Sequence, residues 1–75
     1  MVDVNKLKGK IVEKRLNIPE LSGRMGIDKA TLYRKINNNG EQFSIKEADS
    51  IVKELDLTKE EAMAIFFAQY VAEMR

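Results

Sequence analysis

The sequence predicts an all-α protein that folds as a compact domain of five helices, and three observations support this. Apolar residues recur three or four positions apart along the chain, and no stretch alternates apolar and polar residues as a half-buried strand does. Each helical stretch has its own start or stop signal, such as a capping side chain or a glycine. The length of 75 residues suits one modest core, so we expect a single domain over residues 1–75.

The first helix is predicted over residues 4–15, because Val4, Leu7 and Ile11 share one helical face. Gly9 lies inside this helix, where glycine is less favourable than alanine by about 1 kcal/mol. A glycine at such a position indicates a close contact with another segment of backbone.

The second helix is predicted over Ile18–Met25. Asn17 is a favoured capping residue, Pro19 suits a first turn, and Glu20 follows the cap by three residues as in a capping box. Gly26 ends this helix, because glycine tolerates the left-handed conformation that many helix ends require.

The third helix is predicted over Lys29–Asn37. Asp28 caps it, and Leu32 and Ile36 lie four residues apart on its buried face. Three asparagines and a glycine over residues 37–40 then favour a turn.

The last two helices each begin with a predicted capping box, formed by Ser44 with Glu47 and by Thr58 with Glu61. We expect the fifth helix to reach the end of the chain. The apolar face of the fourth helix is predicted to comprise Ile45, Ala48, Ile51, Val52 and Leu55.

The fifth helix carries large apolar residues on two faces, whereas a surface helix needs only one. We assign one face to the core, namely Ala62, Ile65 and part of Phe66. The other face is a predicted homodimer interface, because soluble monomers seldom expose a patch of this kind. It comprises Met63, Phe67, Tyr70 and Met74. The alternative is that the whole helix lies inside the core, although a short chain has little core to surround it.

Composition excludes several classes of function. The chain has no cysteine and no histidine, which excludes disulfides, zinc sites and the usual nucleophile pairs, so we expect no enzyme, no metal and no cofactor. Glu60 and Glu61 form an acidic pair, but they lie in a helix first turn, where carboxylates favour the helix dipole. No secretory signal or membrane-spanning stretch is visible, which predicts a cytoplasmic protein that does not bind membranes.

The charge is unevenly distributed. Residues 1–46 carry ten basic and five acidic side chains, a net charge of +5, whereas residues 47–75 carry three basic and seven acidic ones, a net charge of −4. The first half therefore suits a polyanion, although helical surfaces are commonly rich in charge.

Two short helices joined by a tight turn, over residues 18–37, form a predicted helix-turn-helix. Such a motif needs a small residue where the helices cross, supplied by Ser22, and a residue that tolerates positive φ in the turn, supplied by Gly26. Its second helix inserts its N-terminal side chains into the major groove of DNA. The side chains left exposed on that helix are Lys29, Ala30, Thr31, Tyr33 and Arg34.

The stretch over residues 17–40, NIPELSGRMGIDKATLYRKINNNG, resembles the helix-turn-helix of phage repressor and Cro-like regulators of the XRE type. The resemblance extends over nearly the whole chain and implies a lambda repressor-like DNA-binding domain. It also implies a transcriptional regulator that binds operator DNA, commonly as a dimer and often of phage or prophage origin.

The resemblance assigns DNA contacts residue by residue. Lys29, Ala30 and Thr31 match positions that face bases, and the helix start at Ile18 departs from the family, which often has glutamine there. The amides of Ile18 and Glu20 remain candidates to meet a phosphate. The full set of expected DNA-binding residues is Asn17, Ile18, Lys29, Ala30, Thr31, Tyr33, Arg34, Asn38 and Asn39.

Other interpretations remain open at this point. For Tyr33, one interpretation is that the ring packs against a neighbouring loop, and the other is that it contacts DNA. For Arg34 and Lys35, the alternative to a DNA contact is an ordinary solvated helix face. At the level of function, the alternative is a protein-interaction module of helix-turn-helix fold, such as an antirepressor that binds a second regulator protein.

Overall fold

A computed structural model describes residues 2–37 and 43–67 of the chain. It contains five helices: α1 (Val4–Glu13), α2 (Ile18–Met25), α3 (Lys29–Asn37), α4 (Ile45–Glu54) and α5 (Lys59–Phe66). These two ranges contain no strand, and the predicted all-α fold of five helices is confirmed. None of the described helices is long and apolar enough to cross a membrane.

The predicted helix starts are confirmed by their hydrogen bonds. Asn17 accepts from the Glu20 amide at 2.8 Å, and Asp28 accepts from the Ala30 amide at 3.0 Å. Asp3, for which the sequence pattern made no prediction, caps α1 in the same way. Each cap satisfies an amide that the first turn of a helix leaves without an intrahelical partner.

The capping boxes predicted for α4 and α5 are present, whereas α2 has only the bond from the Glu20 amide to Asn17 and not the reciprocal bond of a box. Ser44 Oγ accepts from the Glu47 amide at 3.1 Å while Glu47 accepts from the Ser44 amide at 2.9 Å. Thr58 and Glu61 make the same pair of bonds at the start of α5. Glu61 also contacts the Lys10 ammonium of α1, and these hydrogen bonds, chiefly the one from Lys10, lower the pKa of Glu61 to about 2. Glu61 of the acidic pair therefore has a structural role at this helix start.

Three helices end with the chain in the left-handed conformation. It occurs at Gly26 (φ 73°), as predicted, and also at Arg15 (φ 61°) and Asp56 (φ 50°). In each case the amide of the next residue donates to the carbonyl five positions earlier, at N···O distances of 2.9 to 3.0 Å. This bond satisfies a carbonyl that the last turn would otherwise leave open.

The core draws side chains from every helix. Its buried apolar residues are Leu7, Ile11, Leu21, Leu32, Ile36, Ile51, Leu55, Leu57, Ile65 and Phe66. Helix α2 packs against α3 and α4, and α1 packs against α5, where the Asp3 amide donates to the Ile65 carbonyl at 2.7 Å. Phe43, which precedes α4, meets Phe66 edge to face with ring centroids 6.3 Å apart. The positions of α2 and α3 are therefore fixed by the whole core.

Several details differ from the sequence predictions. Helix α1 ends two residues earlier than predicted. Ile45 is 90% exposed, because it lies six residues and so about 120° around the helix from Ile51, outside the buried arc of α4. A Cβ built on Gly9 would meet nothing within 4 Å, so the predicted close backbone contact is wrong. Helix α5 ends at Phe66, and residues 68–75 lie outside the described residues.

The left-handed helix ends generate a paired prediction. Arg15→Gly should raise the free energy of unfolding by about 1 kcal/mol, because a Cβ is unfavourable in the left-handed region. Gly26→Ala should lower it by about the same amount for the same reason. Urea denaturation of both variants measures these changes.

Lys14→Gly is the matched control, since Lys14 is the C-cap of α1 with φ −83° and gains nothing from glycine. It should be neutral or destabilising. If Arg15→Gly behaves like Lys14→Gly, the conformation of Arg15 carries no strain.

Candidate nucleic-acid interface

Helices α2 and α3 are joined by the three residues 26–28, and the geometry of this turn matches the predicted motif. Gly26 reverses the chain in the left-handed conformation, and the Ile27 amide donates to the Ser22 carbonyl at 3.0 Å. Ser22 itself is only 2% exposed, and its hydroxyl donates to the Pro19 carbonyl at 2.8 Å. The buried residue is therefore a small one, and its one polar side-chain group is satisfied within its own helix.

Apolar side chains on both sides of the turn hold the two helices together. Leu21 and Leu32 are fully buried, and Met25 and Ile27 are half-buried and pack against the same core. The crossing of α2 and α3 is therefore fixed by packing on both sides of the turn.

The outer face of α3 presents most of the residues that the sequence assigned to DNA. Lys29, Ala30, Tyr33 and Arg34 are exposed, and Thr31 is half-buried. Tyr33 is 57% exposed, so its ring stays accessible. The two predicted contacts that follow α3, Asn38 and Asn39, lie outside the described residues.

The start of α2 differs from the sequence expectation in one respect. The Glu20 amide donates to Asn17 Oδ1 at 2.8 Å, so it already has a partner and the expectation that it meets a phosphate is wrong. Asn17 is exposed, and Ile18 is half-buried against the core. A polar cap and an aliphatic side chain therefore stand side by side where α2 begins.

An open groove of about 740 Å³ lies between α1, the start of α2 and α3, and sequence reasoning missed it. Its lining includes Val12, which is 73% exposed, together with apolar side chains from the loop and from both motif helices. The signal was available, because Val12 follows the buried Ile11 on α1 and is an exposed aliphatic residue. The lining residues are Lys8, Ile11, Val12, Leu16, Asn17, Ile18, Pro19, Lys29, Ala30 and Tyr33.

Lys35 holds α3 against α4 and is not part of an ordinary solvated face. Its ammonium donates to both carboxylate oxygens of Glu47, at 2.7 and 2.5 Å, and both side chains are half-buried. The Lys35 ammonium, followed by the Ser44 amide, lowers the pKa of Glu47 below its ordinary value of 4.5. A single carboxylate therefore completes the capping box of α4 and anchors α3.

A family model of the Cro/C1-type HTH DNA-binding domain matches residues 6–67, which include all of the motif described above. The chain belongs to the Cro/C1-type helix-turn-helix family. No curated protein and no solved structure matches the chain. The family match confirms the resemblance seen in the sequence and makes this Cro/C1-type protein a DNA-binding regulator.

The Glu47 contacts predict a pH-dependent stability. Because the pKa of Glu47 is lower in the folded state, its contribution is complete above pH 4.5 and is lost as the pH falls through the folded-state pKa. Glu47→Gln should therefore lower the free energy of unfolding by about 1 kcal/mol at pH 7, and the difference should shrink in acid. Urea denaturation at pH 7 and pH 3 measures it.

Asp49→Asn is the matched control on the same helix. Asp49 pairs with Lys53 at 3.1 Å, but both side chains are exposed, so its removal should change stability little at either pH. An equal effect of the two variants would contradict a special role for Glu47.

Proposed function

We propose that this Cro/C1-type protein is a transcriptional regulator that occupies operator DNA, with α3 as the helix in the major groove. The observation that carries this proposal is the two-sided character of α3. Leu32 and Ile36 are buried, while Lys29, Ala30 and Arg34 point to solvent from the opposite side of the same helix. Helix-turn-helix proteins read base edges with the N-terminal residues of this second helix.

The proposed contacts divide into two groups. Lys29, Ala30 and Thr31 open α3 and are the base readers, while Arg34 and Tyr33, one turn further on, contact phosphates or neighbouring bases. The remaining proposed contacts are Asn17 and Ile18 at the start of α2 and Asn38 and Asn39 after α3. The net charge of +5 over residues 1–46 supports this orientation, since the motif lies in the basic part of the chain.

Regulation would follow from occupancy. A protein seated on two half-sites blocks or redirects polymerase, and its concentration and competition for sites set the outcome. The resemblance to phage repressor and Cro-like regulators suggests a phage or prophage origin, a repressor activity in the cytoplasm and no catalysis.

A homodimer is the assembly that we propose. Ile65 and Phe66 are buried in the core, whereas the next residue, Phe67, is 49% exposed. Phe67 lines a second apolar groove, between α4 and α5, together with Val2 and Val52. Pairing this surface across a two-fold axis would remove it from water and place two copies of α3 about one helical turn of DNA apart, roughly 34 Å. The other proposed interface residues are Met63, which is half-buried, and Tyr70 and Met74, which lie outside the described residues.

The alternative function, a module that binds a second regulator, is favoured by Ile45. This side chain is 90% exposed and lines the same groove as Phe67, where another protein would cover it as well as a second copy would. A gel shift against the neighbouring intergenic DNA separates the two functions, because only an operator-binding protein retards that DNA.

The proposed base and phosphate contacts predict different mutant behaviour. Lys29→Ala should change the preferred base at one position of a randomised-site selection, at a cost of about 1–3 kcal/mol on the original site. Arg34→Ala should weaken binding to all sequences alike and reduce the slope of log K against log salt by about 0.9 for each phosphate that Arg34 neutralises. Lys59→Ala, in the acidic half, is the charge-matched control and should change neither quantity. An unchanged consensus would exclude Lys29 as a base reader, and salt-independent binding would contradict the electrostatic contacts.

The proposed dimer predicts that Phe67→Asp combined with Tyr70→Asp yields a folded monomer with much weaker operator binding. The introduced charges oppose burial of the interface, while the core side of α5 is untouched. Sedimentation measures the assembly, and circular dichroism confirms that the variant is folded. Val12→Asp, which introduces an aspartate at an exposed apolar residue outside the proposed interface, should leave the assembly unchanged. A wild-type protein that stays monomeric at high micromolar concentration would exclude this interface, and an unfolded double variant would assign Phe67 to the core.

A further inference from the structure

The place where α2 and α3 begin is apolar, although it lies beside the residues that open the recognition helix. Ile18 and Ala30 line the same groove, with Lys29 next to them. Ala30 is exposed, and Ile18 is half-buried. A DNA base that lies against this surface therefore meets aliphatic carbon, with the charged side chain of Lys29 nearby.

Among the four bases, only thymine has an apolar group on its major-groove edge that this aliphatic surface can contact. Guanine, adenine and cytosine present only hydrogen-bond donors and acceptors there, whereas thymine adds a methyl group at C5. An aliphatic wall cannot form hydrogen bonds, and it would leave a polar base edge without its water. Contact with a thymine methyl removes apolar surface from water on both partners and leaves no polar group without a partner.

We propose that Ile18 and Ala30 together read the methyl group of one thymine in each operator half-site, beside the base contacted by Lys29. The proposal rests on the proposed operator-binding function. It names the base favoured by having Ile18 where the family often has glutamine. Two features support DNA as the occupant of this end of the groove. The surface is continuous with the exposed face of α3, and its lining residues include Lys8 and Lys29, whose positive charges complement phosphate charge.

The size of the effect follows from one buried methyl group. Burying a single aliphatic carbon group contributes about 0.8 kcal/mol, which corresponds to an affinity change of about fourfold. Deoxyuridine is the appropriate probe, because it keeps every hydrogen-bonding group of thymidine and lacks only the methyl.

The experiment begins with the consensus site from a randomised-site selection on the wild-type protein. Each thymine of the half-site is then replaced singly by deoxyuridine, and the affinities are measured by fluorescence anisotropy at one salt concentration. We expect one position to lose about fourfold in affinity. Ala30→Ser, a substitution of an exposed residue that does not threaten folding, should reduce the thymine preference at that position. Ile18→Gln should do the same if it folds.

Arg34→Ala is the matched control. It should weaken binding to the thymine and deoxyuridine sites by the same factor, so the ratio of the two affinities at the sensitive position stays at about fourfold. This control separates loss of the methyl contact from a general loss of affinity.

The outcomes that overturn the inference are distinct from failure of the proposed function. Sequence-specific binding with no position sensitive to deoxyuridine overturns the inference and leaves operator binding intact. A sensitive position whose ratio is unchanged in Ala30→Ser overturns the assignment to this wall. No sequence preference at all overturns both. If deoxyuridine has no effect and Val12→Asp alters sedimentation, the groove is an interface between copies of the chain and the inference is wrong.

Discussion

The crossing of α2 and α3 sets the geometry of the candidate interface and of the core beneath it. It is held by a turn of three residues in which Gly26 adopts a left-handed conformation, and by Ser22, which is small enough to be buried where the helices meet. A larger side chain at the buried Ser22 would overpack the core side of α2, whereas a side chain at Gly26 would meet no neighbour but would strain the left-handed backbone. Because Leu21 and Leu32 then enter one core, the outward direction of the Lys29 side of α3 follows from the turn.

A second constraint fixes α3 from the other side. Glu47 accepts hydrogen bonds from the Ser44 amide and from Lys35, so a residue in the first turn of α4 also holds α3. This arrangement couples the orientation of α3 to the start of α4, and the Lys35 ammonium is therefore not available as a simple surface charge.

Most of the helical framework follows from local signals in the sequence. The caps at Asn17, Ser44 and Thr58 and the glycine at position 26 act over three to five residues, so their hydrogen bonds are predictable without tertiary information. The same local rules identified the helix-turn-helix, and the exposed residues of α3 followed from helical periodicity. Most of the candidate interface was therefore predictable, because a short amphipathic helix exposes whatever its buried face does not use.

The groups that meet across helices could be identified only from the packed molecule. The pairing of Lys35 with Glu47 spans twelve residues, and no periodic pattern specifies it. The exposure of Ile45 depends on which arc of α4 the other helices cover, and the groove beside Ile18 and Ala30 exists only because α1 lies next to both motif helices. Local signals act through hydrogen bonds along one segment, whereas grooves and ion pairs between helices arise from how the segments pack, which composition and spacing do not specify.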